Sequence, residues 1–295
     1  DRFRHAWVEL KRIGCNTLYA VDGILEWRNA WENRADEPAC PWTMRPVLSD
    51  KVACIGPSQA RVIESWGNRG KTEVTGIPRF DSLIRQKRQP RPADGRFRLL
   101  VTTAKWPGFT SEQVQQVTRS LRDLKNFFDE NTGINGLPVD VHWRLTGELS
   151  GEIGVENRIT DLTGKELGEI LNQVDAVLTT PSTVMLEAML HERPVAILDY
   201  TNSPRYADAA WSITARDQIS SVLEQLARPS APRMFLQHSV LHETLQCSES
   251  ATDRLAKLAH EMIRIGHDCR AAGRPIEFPA RILPPVTADL PWDNN

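Results

Sequence analysis

The residues with the most chemistry to offer lie between positions 175 and 200, DAVLTTPSTVMLEAMLHERPVAILDY. An apolar run stops at Thr179, Thr180, Pro181, Ser182 and Thr183, and a second apolar stretch follows with Glu187 in its middle. At the start of a helix the first backbone N–H groups lack intrahelical partners and the dipole is positive. Hydroxyls added there make a cradle for phosphate. N-capping by Ser182 or Thr183 would use the same residues more simply. Glu187 fits the capping reading poorly, because a capping box needs its acid three residues after the cap. Those positions hold Met185 and Leu186. Glu187 sits instead among Val184, Met185, Leu186, Ala188, Met189 and Leu190, on a helix apolar nearly all round. A carboxylate buried there needs a partner. Ribose or sugar hydroxyls would serve, and so would an arginine.

Other candidates stand at the ends of apolar runs. Lys105 follows FRLLVTTA, and Arg144 closes LPVDVHWRL. Either cation could neutralise a departing diphosphate, the kind of charge stabilisation that group transfer needs. Asp22 ends the run NTLYAVDGI. A carboxylate at that place could take the proton of an acceptor hydroxyl, with Glu26 one turn on in support. An ordinary Asp-Gly turn is the plain alternative. His142 and His191 read as structural. Asp199 to Tyr206 form a polar, aromatic loop. Trp27, Trp31, Trp106 and Trp211 offer faces for a carbohydrate, although burial is the default for an indole.

The elements that must position these residues follow from periodicity. Short continuous apolar strands are predicted at 16–24, 51–56, 71–76, 97–104, 137–145, 175–180 and 194–200, with a short extended piece at 156–162. Helices are predicted at 5–14, 58–67, 111–131, 164–174, 182–192, 215–228 and 251–266, with a further helical segment at 234–246. Strands alternating with helices mean βαβ units and a parallel sheet. The expected class is therefore α/β with two Rossmann-like lobes. Residues 1–85 form a first lobe and 86–96 a polar linker. Residues 97–266 form a second lobe, and 267–295 a Pro-rich tail extended over the surface. The first lobe shows about three strands, and the chain opens on Asp1 rather than Met, so an incomplete first lobe is expected.

Two stretches resemble a known superfamily. Residues 161–200 are similar to the donor-binding lobe of GT-B glycosyltransferases, particularly those of bacterial surface-polysaccharide synthesis and the polyglycerol-phosphate transferases. Asp175, Ser182, Thr183, Glu187, Ala188 and Pro194 carry that likeness. Val74, Thr75, Gly76, Pro78, Arg79 and Asp81 resemble the end of the first lobe in the same enzymes. The resemblance spans about 15 to 265. It implies nucleotide diphosphate bound at the helix start, at Ser182 and Thr183, with Glu187 on the ribose or sugar; Thr180, Lys105 and Arg144 join them as donor-site candidates by their place at strand ends. It also implies independence of metal, which suits the absence of a DxD motif, and no cofactor. In such transferases a His-Gly pair often stands where this chain has Asp22-Gly23, which makes Asp22 the candidate base. UDP-GlcNAc 2-epimerases share the pattern but carry Ser-Gly-Gly and a double Glu where this chain reads PSTVMLEA.

Composition sets the remaining bounds. The chain has 295 residues, 40% hydrophobic and 25% charged, with a net charge of -2. Such a balance implies no general attraction to nucleic acid. No run of 18 apolar residues exists to cross a membrane as a helix. Five scattered cysteines without CxxC pairing point to a reducing compartment and away from zinc. The expectation is a cytoplasmic glycosyltransferase, with peripheral attachment at the inner membrane face as an option. Its partners would be a nucleotide-sugar donor and a carbohydrate or lipid-linked glycan acceptor. The alternatives are a non-catalytic nucleotide-binding protein of the same fold and a sugar-nucleotide epimerase.

Overall fold

A computed structural model describes residues 2–31, 44–85, 94–146, 148–155 and 167–286. In chain order the helices are α1 (Arg2–Arg12), α2 (Pro57–Ser65), α3 (Asp81–Arg85), α4 (Ser111–Glu130), α5 (Leu149–Ile153), α6 (Leu167–Leu171), α7 (Val184–Leu190), α8 (Ile219–Ala227), α9 (Ala231–Thr244) and α10 (Ala251–Ala271). The strands are β1 (Leu18–Ala20), β2 (Lys51–Cys54), β3 (Thr72–Val74), β4 (Phe97–Thr102), β5 (Gly133–Ile134), β6 (Leu137–Arg144), β7 (Ala176–Thr179), β8 (Val195–Leu198) and β9 (Trp211–Ile213). The chain divides into two compact units. The first comprises Asp1–Ile84, Pro204–Ala207 and His242–Asn295, and the second Arg85–Ser203 and Asp208–Leu241.

The second unit holds a six-stranded sheet in the order β5-β6-β4-β7-β8-β9. Every pairing is parallel except the β5–β6 hairpin. That hairpin turns on Asn135 and Gly136, both at positive φ (52° and 76°). Asn-Gly is the pair that a two-residue type I′ turn favours. The strands β4, β7 and β8 are buried along nearly their whole length, as a sheet covered on both faces requires. On one side Val117, Leu121, Leu124 and Phe128 of α4 join Leu223 and Leu226 of α8 and Trp143 of β6 in one apolar core. Asp175 fixes where β7 begins, since its carboxylate accepts the Arg98 N–H at 2.7 Å and its own N–H reaches Arg98 O at 2.8 Å.

The first unit has a parallel sheet β1-β2-β3. Asp81 fastens α10 to it. Its carboxylate accepts the N–H groups of Ala251 (2.8 Å) and Thr252 (2.9 Å) and the Ser250 hydroxyl (3.1 Å), so it caps a helix 170 residues away. Burial pushes the Asp81 carboxyl up, but those hydrogen bonds outweigh it and hold the group below the ordinary value. Gly76 stands at φ 85°, where a Cβ would lie 2.7 Å from Gln246 O. The motif residues Gly76 and Asp81 are thus explained by backbone geometry and capping.

The C-terminal region departs from expectation. Residues 251–266, expected in the second lobe, belong to the first unit. Helical periodicity shows which face of a helix is apolar, not which sheet covers it. Helix α10 runs on to Ala271, five residues into the expected extended tail, and the chain after it, to residue 286, is built in. Phe278, Ile282 and Leu283 pack with Ala53, Leu258 and Met262 in a second core. Beneath them lies a buried ion pair, Lys51 Nζ to Glu73 Oε1 at 3.0 Å, with side chains 1% and 3% exposed. Lys51 also donates to Pro279 O (2.6 Å), Ala280 O (3.1 Å) and Gly70 O (2.8 Å). Glu73 accepts the N–H groups of Ile282 (2.7 Å) and Leu283 (3.1 Å). Arg254 adds bonds to Val74 O and Pro284 O, each 3.0 Å.

Smaller differences have local causes. Helix α2 begins at Pro57, one residue before the expected start, with Gly56 as its N-cap, because Pro57 takes the first helical position. The sequence 156–162 and most of the expected linker lie outside the described residues. Among the described residues no helix is long and apolar enough to cross a membrane.

Removing one partner of a buried pair leaves an uncompensated charge, which costs about 3–5 kcal/mol. Glu73→Ala is therefore expected to destabilise the first unit by about that amount. Denaturant unfolding reads the loss, and trypsin should cut faster at Arg274 and Arg281. An unchanged unfolding midpoint with an equally resistant tail would contradict the clamp.

Candidate functional site

The site is set by strand order. The central strand β4 pairs with β6 on one side and β7 on the other. From β4 the chain passes to β6, then crosses back to β7 and continues away to β8 and β9. This reversal is a topological switch point, and in open parallel sheets ligands bind beyond the carboxyl ends of the strands there. Register fixes what stands beside it. Thr102 of β4 is opposite Arg144 of β6 and Thr179 of β7.

Hydroxyls lace the strand ends together. Thr180 N–H donates to Thr102 O (3.2 Å), and Ala104 N–H donates to Thr180 Oγ1 (2.8 Å). Thr103 and Thr146 hydroxyls lie 2.9 Å apart, Thr146 N–H donates to Thr103 Oγ1 at 3.0 Å, and Thr146 Oγ1 donates to Ala104 O at 2.8 Å. The sequence reading did not single out Thr103 or Thr146. The available signal was that VTTA at 101–104 and LTTP at 178–181 end their strands alike.

The predicted residues of the second unit gather on this edge. Lys105 and Arg144 are exposed just past β4 and at the end of β6. Ser182 and Thr183 are half-buried after β7. The helix starts later than expected, at Val184 with Thr183 as N-cap. Ser182 Oγ accepts the Val184 N–H at 3.2 Å. Met185 and Leu186 N–H groups go to Ser182 O and Thr183 O. Part of the expected amide cradle is therefore filled by the chain itself, and hydroxyls and cations make up the polar lining. Glu187 is buried as expected, at 9% exposure, beside Met185, Leu186, Ala188 and Met189.

His191 closes α7, its N–H on Glu187 O at 3.1 Å. The ring is buried and its Nε2 has no partner. Burial first, and the Arg193 guanidinium second, lower its pKa from the ordinary histidine value. Arg193 itself donates through Nε to Leu171 O at 2.8 Å.

The loop after β4 is held at both ends of its turn. Gly108 lies so close to α4 that a Cβ would come within 2.8 Å of Val114 N. Phe109 N–H donates to Gln113 Oε1 (2.9 Å), and Gln113 Nε2 donates to Ser203 Oγ (2.8 Å), tying this loop to the one after β8. Trp106 projects from it at 66% exposure, against the burial default. Trp211 follows the default, buried with its Nε1–H on Gln225 Oε1 at 3.1 Å.

Asp22 and Glu26 lie in the first unit. Asp22 follows β1 at the carboxyl edge of its sheet and is exposed, with its carbonyl accepting from Arg79 at 3.3 Å. Glu26 has other work. Its carboxylate pairs with Arg28 Nε at 2.7 Å, and its N–H donates to Asn29 Oδ1 at 2.7 Å as it caps the turn Trp27–Ala30.

No protein-family description matches the chain, and neither does any curated protein. Solved structures do match. A complex of S. aureus MnaA with UDP is 14% identical over 94% of this chain and 73% of that one, with a TM-score of 0.56. The wall teichoic acid polymerase TagF, in a variant soaked with CDPG, is 14% identical over 85% of this chain and 68% of that one, TM-score 0.55. A putative UDP-N-acetylglucosamine 2-epimerase from Listeria monocytogenes is 14% identical over 92% and 73%, TM-score 0.51. At this identity the likeness establishes the fold. The chain has a GT-B-like α/β architecture.

A histidine buried neutral stabilises the fold above its unfolded-state value of about 6.5, and that contribution is lost as pH falls below it. Between about pH 7.5 and about pH 5.5 the wild type should lose more in Tm than His191→Leu, which lacks the titrating ring. Equal losses would show that His191 does not titrate against folding.

Proposed function

We propose that this chain is a glycosyltransferase of surface-polysaccharide synthesis that takes a nucleotide-activated sugar, or a similar nucleotide-diphosphate donor, at the second unit. The observation that carries the reading is the register at the switch point. It sets Arg144, Thr102 and Thr179 side by side, with Lys105, Thr180, Ser182 and Thr183 just beyond and Glu187 on the helix that follows. Lys105 and Arg144 neutralise the diphosphate. The hydroxyls of Thr180, Ser182 and Thr183 donate to its oxygens, and Glu187 accepts from ribose or sugar hydroxyls. In transfer, the acceptor oxygen bonds to the donor carbon as the bond from that carbon to the diphosphate breaks. Asp22 takes the acceptor proton. Glu26, engaged with Arg28, positions the turn after Asp22 and is not assigned the proton. The UDP and CDPG named for MnaA and TagF support a nucleotide diphosphate as the ligand class.

The likeness to the Listeria protein favours a second reading, sugar-nucleotide epimerisation. It would show as interconversion of the donor sugar with no acceptor present.

A panel of UDP, CDP, CMP, GDP and TDP, scored by thermal shift, tests the site. A ligand at 100 times its Kd adds about 2.7 kcal/mol to stability. One nucleotide should stabilise the wild type, and Glu187→Ala should lose most of that response. If no nucleotide stabilises the wild type, the donor site is absent and the constellation is a capped, packed helix.

A further inference from the structure

Trp106 is the most exposed large hydrophobic side chain among the described residues, at 66%. Single exposed apolar residues are common and carry no meaning by themselves. Its place is what distinguishes this one. It stands four residues past the end of β4, the strand at which the sheet order reverses, directly after Lys105. The loop that bears it is not loose. Gly108 is seated against the first turn of α4, Thr110 Oγ1 accepts the Gln113 N–H at 3.2 Å, and Gln113 bridges Phe109 to Ser203. A pinned backbone presenting a bare indole at the ligand edge is pre-organised to receive a flat ring, since the ordering entropy is already spent in folding.

We infer that Trp106 is the stacking platform for the nucleobase of the donor. The inference rests on the donor site proposed above and adds the residue that holds the base. Three features favour a base over a sugar as the occupant. The indole has a cation beside it in sequence, suited to the phosphate end of the same ligand. Thr180, Ser182 and Thr183, in the turn between β7 and α7, and the buried Glu187 of α7 offer the chemistry a polyol requires. The loop after β4 adds what the β7 side lacks, an exposed aromatic face. Stacking also tolerates any base, because every base has a π-face. Base choice would then come from groups at the base edge, and the loop Asp199–Ser203, tied to the Trp106 loop through Gln113, is a polar source joined to it.

The test measures binding of UDP, CDP and inorganic pyrophosphate to wild type, Trp106→Ala and Trp106→Phe by calorimetry. Stacking on one aromatic side chain corresponds to about a 5- to 100-fold change in Kd. Trp106→Ala should weaken the nucleotide that binds wild type by about that factor. It should leave pyrophosphate unchanged, and Trp106→Phe should retain most of the affinity. As an exposed loop position, the substitution should leave Tm without ligand unaltered. Equal nucleotide affinity in wild type and Trp106→Ala would overturn the inference while leaving the donor site standing. Equal weakening of nucleotide and pyrophosphate would also overturn it, since the indole would then act on the phosphates. If no nucleotide binds wild type, both this inference and the donor site fall.

Discussion

The pairing of β4 with β7 is the contact on which the second unit depends. Each strand is buried along nearly its whole length, so its apolar side chains and its ladder hydrogen bonds are satisfied by neighbours on both sides. Because successive connections leave these two strands in opposite directions, no crossover helix lies over their carboxyl ends. Threonines stand at those ends, and the hydroxyls of Thr103, Thr146 and Thr180 bond the strand-end groups locally while adding little bulk.

The first unit solves a different problem. A three-stranded sheet buries little surface on its own. Here it recruits chain from the far end of the sequence, α10 and the tail, and fixes them with charge. Asp81 caps α10, and Lys51, Glu73 and Arg254 bind the backbone of a segment that has no ladder of its own. A buried ion pair by itself is weak evidence for stability. This one is supported because both ions also satisfy backbone groups that would otherwise be orphaned. Proline-rich chain suits the role, since Pro284 and Pro285 need no donor partners and cost less order to hold extended.

Much of this was legible in the sequence, and the gaps have physical reasons. The apolar runs of β2, β4, β7 and β8 stand out because both faces of each strand are buried. The strand β9, only Trp211–Ile213, is too short and mixed for periodicity to register. The β5–β6 hairpin has its sequence signal in Asn135-Gly136, but β5 itself, only Gly133–Ile134, is too short for periodicity to show. The placement of α10 was missed because its capping partner, Asp81, is remote in sequence. The place of Lys105, Arg144, Ser182 and Thr183 at or just past strand ends was legible from position alone. The occupation of Glu26 by Arg28 and of the Val184 amide by Ser182 was not legible, since both depend on side-chain geometry over two residues. By sequence Trp106 is equivalent to Trp27, Trp31 and Trp211, and only the fold separates it, at 66% exposure, from the buried Trp211.

Hydrogen exchange of the whole chain, with and without saturating UDP or CDP, tests the central claim most directly, because it reads the strand ends residue by residue. The account predicts slowed exchange confined to the strand ends and their loops, at Thr103 to Trp106 and at Ser182 to Val184, with the β3 and tail region unaffected. A bound nucleotide that leaves those amides unchanged and protects a different surface would contradict the switch point as the site.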